Sequence, residues 1–428
     1  TRDLFQQLCP LVLELAPVLA RPDFVLQHFE RFIEAYGPRA ALYEMLLINP
    51  KLLELLFKLF DHSQFFGEIL ISQPVLLESI AFEDLLVGTQ NRTEMTGRLV
   101  REIAETQEGR LLLFKNSELL RIALRDILGL ADSAEETQAE LSLLADVCLN
   151  SVFSLQPSAF SPPLCVIALG KYGGRDLTYG ADLDVLFIGG TVEEAARIIA
   201  QLGGKRGGTG TFKIDARLRP DGEDGPLTLP LEAYAHYYRE RAQFWERQAL
   251  TRARVAAGDA KTGASFLKLV DELIYSRPLS AAELREMTAM RERIEKERGD
   301  TDDPVRDFKT GSGGLVDVEF LAQAQQLRHG CRHEPLRRAS TLEILRAMPS
   351  IAGWKSEKSA TLIKDYNWLR KLEGVLRRDQ NAAISQLPSR REQWKMAARW
   401  MGLKDSAALE SELMARRKQI RKMVDGLL

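Results

Sequence analysis

Three aspartates carry the chemistry this sequence could do. Asp182 and Asp184 are two residues apart in the run Asp182-Leu183-Asp184-Val185-Leu186-Phe187-Ile188, and Asp215 lies in a later run of alternating charge. On a strand, residues two apart project from one face, roughly 7 Å apart along the backbone. Carboxylates sharing a face repel and raise one another's pKa unless a cation sits between them. Hard divalent cations such as Mg²⁺ take oxygen ligands, typically a few carboxylates plus substrate phosphates. Asp182, Asp184 and Asp215 are therefore the candidate metal-binding and catalytic residues of a phosphoryl- or nucleotidyl-transfer site, where two ions clamp the attacking and leaving oxygens.

A glycine turn complements them. Gly170-Lys171-Tyr172-Gly173-Gly174 follows an apolar run and precedes the aspartate pair. Gly170, Gly173 and Gly174 could let backbone N–H groups approach a phosphate closely. Lys171, with Arg217 and Arg219 across the site, could neutralise a triphosphate. Taken singly, each part has a structural explanation: an exposed polar face, an ordinary turn, solvated arginines. Their coincidence favours a site, because Asp182 and Asp184 flank Leu183 and lead into an apolar strand where idle carboxylates are costly.

Competing motifs fail on spacing. A P-loop needs GxxxxGK followed by Ser or Thr; here Tyr172 follows Lys171, and Cys165 stands at the first glycine position. A dinucleotide fingerprint needs GxGxxG, which 170–174 does not give. His329 and His333 are four apart without an intervening HExxH glutamate. Asp317 and Glu319 form a second acidic pair after the loop 309–314. Their default role is to sit at the positive end of a helix dipole; the functional alternative is that this helix lines the cleft and contributes to nucleotide or metal binding.

The elements that must position these residues can be read from periodicity. Val25, Phe29, Phe32 and Tyr36 step at helical spacing toward a cap at Gly37, and Leu52, Leu56 and Leu59 form a similar stripe. Pro157, Pro162 and Pro163 break the helical pattern. Residues 164–169 read as a buried strand, 182–188 as a second, 193–202 as a helix and 203–210 as a mobile glycine-dense loop. Residues 212–219 alternate strictly, predicting a third strand with Lys213, Asp215, Arg217 and Arg219 on its polar face. Beyond Pro230 the chain returns to helix, with Leu284, Met287, Met290 and Ile294 on one stripe, and Trp368, Leu369, Leu372 and Leu376 on another. The expected class is α+β, predominantly helical, with a small mixed sheet between helical domains: 1–150 helical, 151–270 the catalytic unit, 271–428 a helical bundle.

Composition narrows the function. The 428 residues carry 58 basic and 60 acidic side chains, a net charge of −2. That balance argues against a general nucleic-acid binder, which must neutralise phosphates. The charge is uneven: residues 1–150 hold 13 basic and 23 acidic side chains, and the rest hold 45 and 37. No apolar run is long enough to span a membrane. Four scattered cysteines give neither a disulfide framework nor a CxxC zinc site. The expectation is a cytoplasmic protein, and the Thr1 start fits a piece of a longer one.

The run Gly170-Lys171-Tyr172-Gly173-Gly174 followed by Tyr179-Gly180-Ala181-Asp182-Leu183-Asp184 resembles the nucleotidyltransferase motif of the DNA polymerase β superfamily. More narrowly, the chain resembles the glutamine synthetase adenylyltransferase (glutamate–ammonia-ligase adenylyltransferase) family from about residue 25 onward. Supporting segments are Asp215-Ala216-Arg217-Leu218-Arg219-Pro220, Phe244-Trp245-Glu246-Arg247-Gln248-Ala249-Leu250 and Gly313-Gly314-Leu315-Val316-Asp317-Val318-Glu319-Phe320. The resemblance implies a polymerase β-like unit using ATP and Mg²⁺ (or Mn²⁺). Asp182 and Asp184 would bind the ions and triphosphate, and Asp215 the catalytic ion. Gly170, Lys171, Gly173 and Gly174 would cradle phosphates. Ala181 departs from the family's usual serine, and Lys171 stands where many superfamily members carry serine.

Family members typically have two such units, one adding AMP to a tyrosine of glutamine synthetase and one removing it by phosphorolysis. The helical segment 29–77 resembles the region before the adenylylating unit, while Leu369-Arg370-Lys371-Leu372-Glu373 is closer to the region after the removing unit. Adenylylation is the favoured direction. The implied partners are glutamine synthetase and PII signalling proteins.

Overall fold

The helical spacing of Val25, Phe29 and Phe32 produces a helix, Pro22–Tyr36, that buries these side chains and ends at Gly37 with φ of +85°. In the computed structural model the described residues are 1–81, 86, 88–103, 110–154, 162–203, 210–299 and 303–425. Pro157 and most of the glycine-dense segment, 204–209, lie outside them.

Helices dominate. The first part contains α1 (Arg2–Leu15), α2 (Pro22–Tyr36), α3 (Arg39–Ile48), α4 (Pro50–His62), α5 (Gln64–Ser72), α6 (Leu76–Ala81), α7 (Arg92–Ile103), α8 (Arg110–Ile127) and α9 (Ala134–Ser154). A small mixed sheet comes next: β1 (Leu164–Ala168), β2 (Leu183–Gly189), β3 (Ile214–Asp215), β4 (Thr228–Leu229) and β5 (Arg254–Gly258). The one-turn helix α10 (Gly170–Gly173) links β1 to β2, and α11 (Val192–Gly203) leaves β2. Helices α12 (Leu231–Glu240), α13 (Phe244–Ala249) and α14 (Ala260–Tyr275) surround the last strands. The remainder is α15 (Ala281–Arg298), α16 (Leu315–His329), α17 (Thr341–Ala347), α18 (Ser356–Gln380), α19 (Trp394–Trp400) and α20 (Ser406–Val424).

The strand order is β3-β2-β1-β5, with β4 also pairing β2. β1 is antiparallel to both β2 and β5, whereas β3 and β4 run parallel to β2. Every residue of β1 is buried, because helices cover both sheet faces. One face, including Val166, Val185 and Phe187, joins the core of the N-terminal helices. The other, with Cys165, Ile167, Leu186 and Ile188, packs against Tyr234, Phe266 and Val270 of α12 and α14. A separate core, including Leu369, Leu372, Leu376 and Trp394, holds the C-terminal helices together.

The third strand is shorter than its alternation predicts. Only Ile214–Asp215 pairs with β2, and the chain turns after Ala216. The Asp215 carboxylate accepts the Arg217 backbone N–H at 2.9 Å, a local bond that competes with continuing the ladder. Pro220 and Asp221, at φ +60°, complete the turn. Arg217 and Arg219 therefore do not share a strand face with Asp215.

Candidate nucleotidyl-transfer site

The site begins at register. β2 and β3 are parallel, and Asp184 pairs directly with Asp215 across them. Asp184 is the half-buried position in an otherwise buried stretch between Leu183 and Leu186. Burial, then the nearby Asp215 and Asp182 carboxylates, push its pKa up to about 6. A carboxylate so placed is short of positive charge.

Asp215 has that charge supplied. Arg217 clamps it with Nε at 3.0 Å from both oxygens and Nη2 at 2.5 Å, and these bonds hold its pKa below the usual carboxylate range. Asp182 lies just before β2, and Lys213 Nζ donates to its Oδ2 at 2.8 Å. Lys213 and Arg217 are both mainly solvent-facing. The two outer carboxylates thus carry exposed, displaceable cations, while the inner one carries none.

The donor chemistry fits a hard divalent cation: three carboxylates of two neighbouring strand segments, the central one destabilised in its ionised form. Among the described residues no three potential ligands are already drawn together around one point. Binding would require Asp182 and Asp215 to turn from Lys213 and Arg217.

The glycines divide by role. Gly170 has φ of +53°, and a Cβ there would overlap the Asp184 carboxylate. Its missing side chain keeps the turn close to the aspartate. At Gly173 a Cβ would strike the Arg252 carbonyl, and at Gly174 it would press on Ala339 and Arg252. The missing side chains at these two positions let the turn pack closely against the protein. The segment itself is a helical turn, closed by Gly173 N–H to Leu169 O at 2.7 Å and Gly174 N–H to Gly170 O at 3.1 Å. Ala181 donates its N–H to Thr178 O at 3.2 Å.

Two expected phosphate contacts are occupied elsewhere. Lys171 Nζ donates to Glu373 Oε1 of α18 at 2.7 Å. Burial first, then the Arg370 guanidinium, pull the Lys171 pKa down to about 7. Arg219 donates to the carbonyls of Ala216, Gly225 and Glu223, which fixes the turn after β3.

Sequence reasoning missed the buried scaffold behind the turn. Glu373 is fully buried and also accepts from Arg370 Nη1 at 2.6 Å and lies 3.2 Å from Arg377 Nε. These cations hold its carboxyl well below the usual range against burial. Arg370 also donates to the Asp176 carbonyl and Arg377 to Thr178 Oγ1 at 3.0 Å. Arg252 bonds Asp176 at 3.1 Å and reaches Gly170 O at 3.4 Å. At Gly180, φ +62°, a Cβ would strike the Asn381 carbonyl. The α18 helix and the Asn381 that follows it thus contact Lys171, Asp176, Thr178 and Gly180. The available signal was the charge-dense run 369–378, whose basic and acidic residues lie at helical spacing.

The second acidic pair also divides. Asp317 is fully buried and accepts the Gly313 N–H at 2.6 Å and the Arg291 guanidinium; it organises the loop before α16, the structural role expected of it. Glu319 accepts from Tyr366 Oη at 3.2 Å and lies on the side of α16 facing the buried scaffold, where its charge acts on Lys171 and Arg252.

No helix among the described residues is long and apolar enough to cross a membrane. Comparison with known proteins gives two family matches. Residues 53–269 match the glutamate-ammonia ligase adenylyltransferase family, and residues 283–428 match the GlnD PII-uridylyltransferase family. A protein of Burkholderia pseudomallei (strain K96243), named bifunctional glutamine synthetase adenylyltransferase/adenylyl-removing enzyme, is 31% identical over 433 residues, covering 94% of this chain and 46% of the relative. Proteins of the same name from Thioalkalivibrio sulfidiphilus (strain HL-EbGR7) and Mycobacterium marinum (strain ATCC BAA-535 / M) are 29% and 36% identical. They match over 78% and 61% of this chain, and 39% and 27% of their own lengths. The chain spans less than half the length of the curated relatives it matches.

Proposed function

This chain belongs to the glutamate–ammonia ligase adenylyltransferase family, and from that premise we propose that it transfers AMP from ATP to a tyrosine hydroxyl of glutamine synthetase. The observation that carries the reading is the register pairing of Asp184 with Asp215, with the Gly170 turn laid against Asp184.

Asp182, Asp184 and Asp215 would hold Mg²⁺ or Mn²⁺. A divalent ion there supplies Lewis-acid polarisation of the phosphate oxygens and neutralises their charge. The chain's own groups do the rest. The absent side chain at Gly170 lets the turn lie directly against the Asp184 carboxylate. Arg217, released from Asp215, is placed to offset charge on the departing pyrophosphate. Asp215, at the solvent-facing edge of the pair, is placed to orient the attacking hydroxyl and accept its proton. Positioning and charge neutralisation account for most rate gain in such transfers. Lys171 and Arg219 act by holding the surrounding backbone.

The alternative is the removing direction, in which an orthophosphate oxygen attacks the AMP phosphorus, the phosphorus–tyrosine oxygen bond breaks, and ADP and the free tyrosine hydroxyl are formed. The relatives' names carry both activities, and the same residues serve either. We retain PII signalling proteins as partners on the match of residues 283–428 to a PII-uridylyltransferase family.

Intact mass spectrometry of the glutamine synthetase subunit, incubated with this chain, ATP and Mg²⁺, tests the reading. Gain of one AMP that Asp184→Asn abolishes supports adenylylation. Loss of AMP from pre-modified enzyme with orthophosphate, and formation of ADP, supports removal. Silence in both directions overturns both.

A further inference from the structure

A cavity of about 630 Å³ lies between the N-terminal helices and the catalytic unit. That is within the range of small-molecule sites. Its wall includes Lys115 and Asn116 of α8, Gln73 beside α5, and Phe212 ahead of β3. Asp182 and Lys213 form its wall on the side of the aspartates.

Lys115 is the feature that needs explaining. Its residue is 8% exposed, yet among the described residues no carboxylate lies within ion-pair distance of its ammonium. The contrast on the same helix is direct. Arg121 is paired with Glu118 and Glu140, and Arg125 with Glu136 and Glu140. Glu118, one turn from Lys115, is committed to Arg98 and Arg121. Among the described residues Lys115 faces the Phe212 ring, with Nζ 5.5 Å from the centroid, and the buried Cys148 thiol, neither of which is an anion at neutral pH. A cation–π contact offsets part of the desolvation of an ammonium, not all of it. Burial accordingly lowers its pKa. Beside it, the Asn116 amide donates to Gln73 Oε1 at 3.2 Å, which leaves further amide donors and acceptors at the wall.

We propose that this cavity binds a small organic anion, its carboxylate or phosphate received by the Lys115 ammonium and its body hydrogen-bonded by the Asn116–Gln73 amide pair. The volume exceeds what a bare inorganic anion would fill, so the ligand carries an organic body. It lies beside Asp182 but uses none of the three aspartates, and the binding does not depend on the proposed transfer activity.

The test is calorimetric titration of the full chain, without metal, with AMP as a phosphate probe and glutarate as a carboxylate probe. Two variants are titrated in parallel. Lys115→Met removes the charge at similar length. Ile69→Trp fills the cavity from another wall and leaves Lys115 in place. Saturable binding of either probe to the parent chain, weakened at least tenfold in both folded variants, supports the site, and the probe that binds identifies the headgroup. Lys115→Met should fold at least as stably as the parent, since it removes an unpaired buried charge. If that variant fails to fold, Ile69→Trp alone decides. Absence of binding to the parent, or affinity in a folded variant within twofold of the parent, overturns the proposal.

Discussion

Gly170 and Asp184 are fitted to each other: a Cβ on the glycine would overlap Asp184 Oδ2 and stand 3.1 Å from its Cγ. The turn after β1 and the central aspartate of β2 therefore occupy mutually dependent positions. Neither can move without displacing the other.

Gly170→Ala should consequently damage function more than folding. The positive φ and the clash together should destabilise by about 1–3 kcal/mol. Nucleotidyl transfer should fall on the order of 100-fold, because a misplacement near 1 Å is enough for that. Urea denaturation read beside the transfer assay checks both. Near-parental transfer in a folded variant would remove Gly170 from the site.

Asp184→Asn should separate activity from stability in the opposite sense. It removes a charge that burial and two carboxylates disfavour, so stability above pH 6 should hold or rise by about 1 kcal/mol. Transfer should drop at least on the order of 1000-fold. A variant that is clearly less stable would mean that Asp184 has an unrecognised structural partner.

The same residue sets a pH dependence. Its pKa is 3.8 ordinarily and about 6 in the folded chain. Within that window the folded state keeps a proton that the unfolded state has lost, so stability falls as pH rises from 3.8 to about 6 and then levels. The contribution is at most about 3 kcal/mol. Subtracting the urea-unfolding profile of Asp184→Asn from that of the parent isolates it. Saturating Mg²⁺ should flatten the difference, since a bound cation favours the ionised carboxylates. A profile rising across the window would contradict the placement of Asp184.

Glu373→Ala leaves Lys171, Arg370 and Arg377 without their shared carboxylate. Removing one partner of a buried charge cluster typically costs about 3–5 kcal/mol. Adding Lys171→Met to Glu373→Ala should recover part of that loss. Additive losses in the double-mutant cycle would show that the two residues do not act as a pair.

Arg217 and Arg219 should behave differently despite their spacing. Arg219→Ala removes three bonds to carbonyls and should lower stability by about 1–3 kcal/mol. Arg217→Ala should leave stability nearly unchanged, because the side chain is exposed, but should raise the Asp215 pKa toward its ordinary value and slow transfer. Thermal melts of the two variants distinguish these roles.

Local pattern makes much of this protein legible. Helices such as Pro22–Tyr36 follow from apolar residues at helical spacing, and β1 from a continuous apolar run. The Asp182-Leu183-Asp184 spacing, with a glycine turn upstream, points to nucleotidyl-transfer chemistry because side-chain direction alternates along any strand. The length of β3 is not legible in the same way, since alternation in 212–219 cannot reveal that the Asp215 side chain captures the Arg217 N–H and turns the chain. Lys171, Gly173 and Gly174 are open to a phosphate-binding reading for a related reason. A lysine or glycine in a turn looks the same whether it faces a ligand or the protein.

That choice belongs to tertiary structure. Glu373 lies 202 residues from Lys171 in the chain, yet it is the group that takes the lysine's charge. Likewise, the pairing of Asp184 with Asp215 depends on parallel register across an intervening helix. Sequence determined which side chains were available and which local elements bear them. Packing decided which carboxylates keep a cation, which glycines make room and which charges are spent on the scaffold, because burial and partner distance set the energy of every charge, and neither is a local property of the chain.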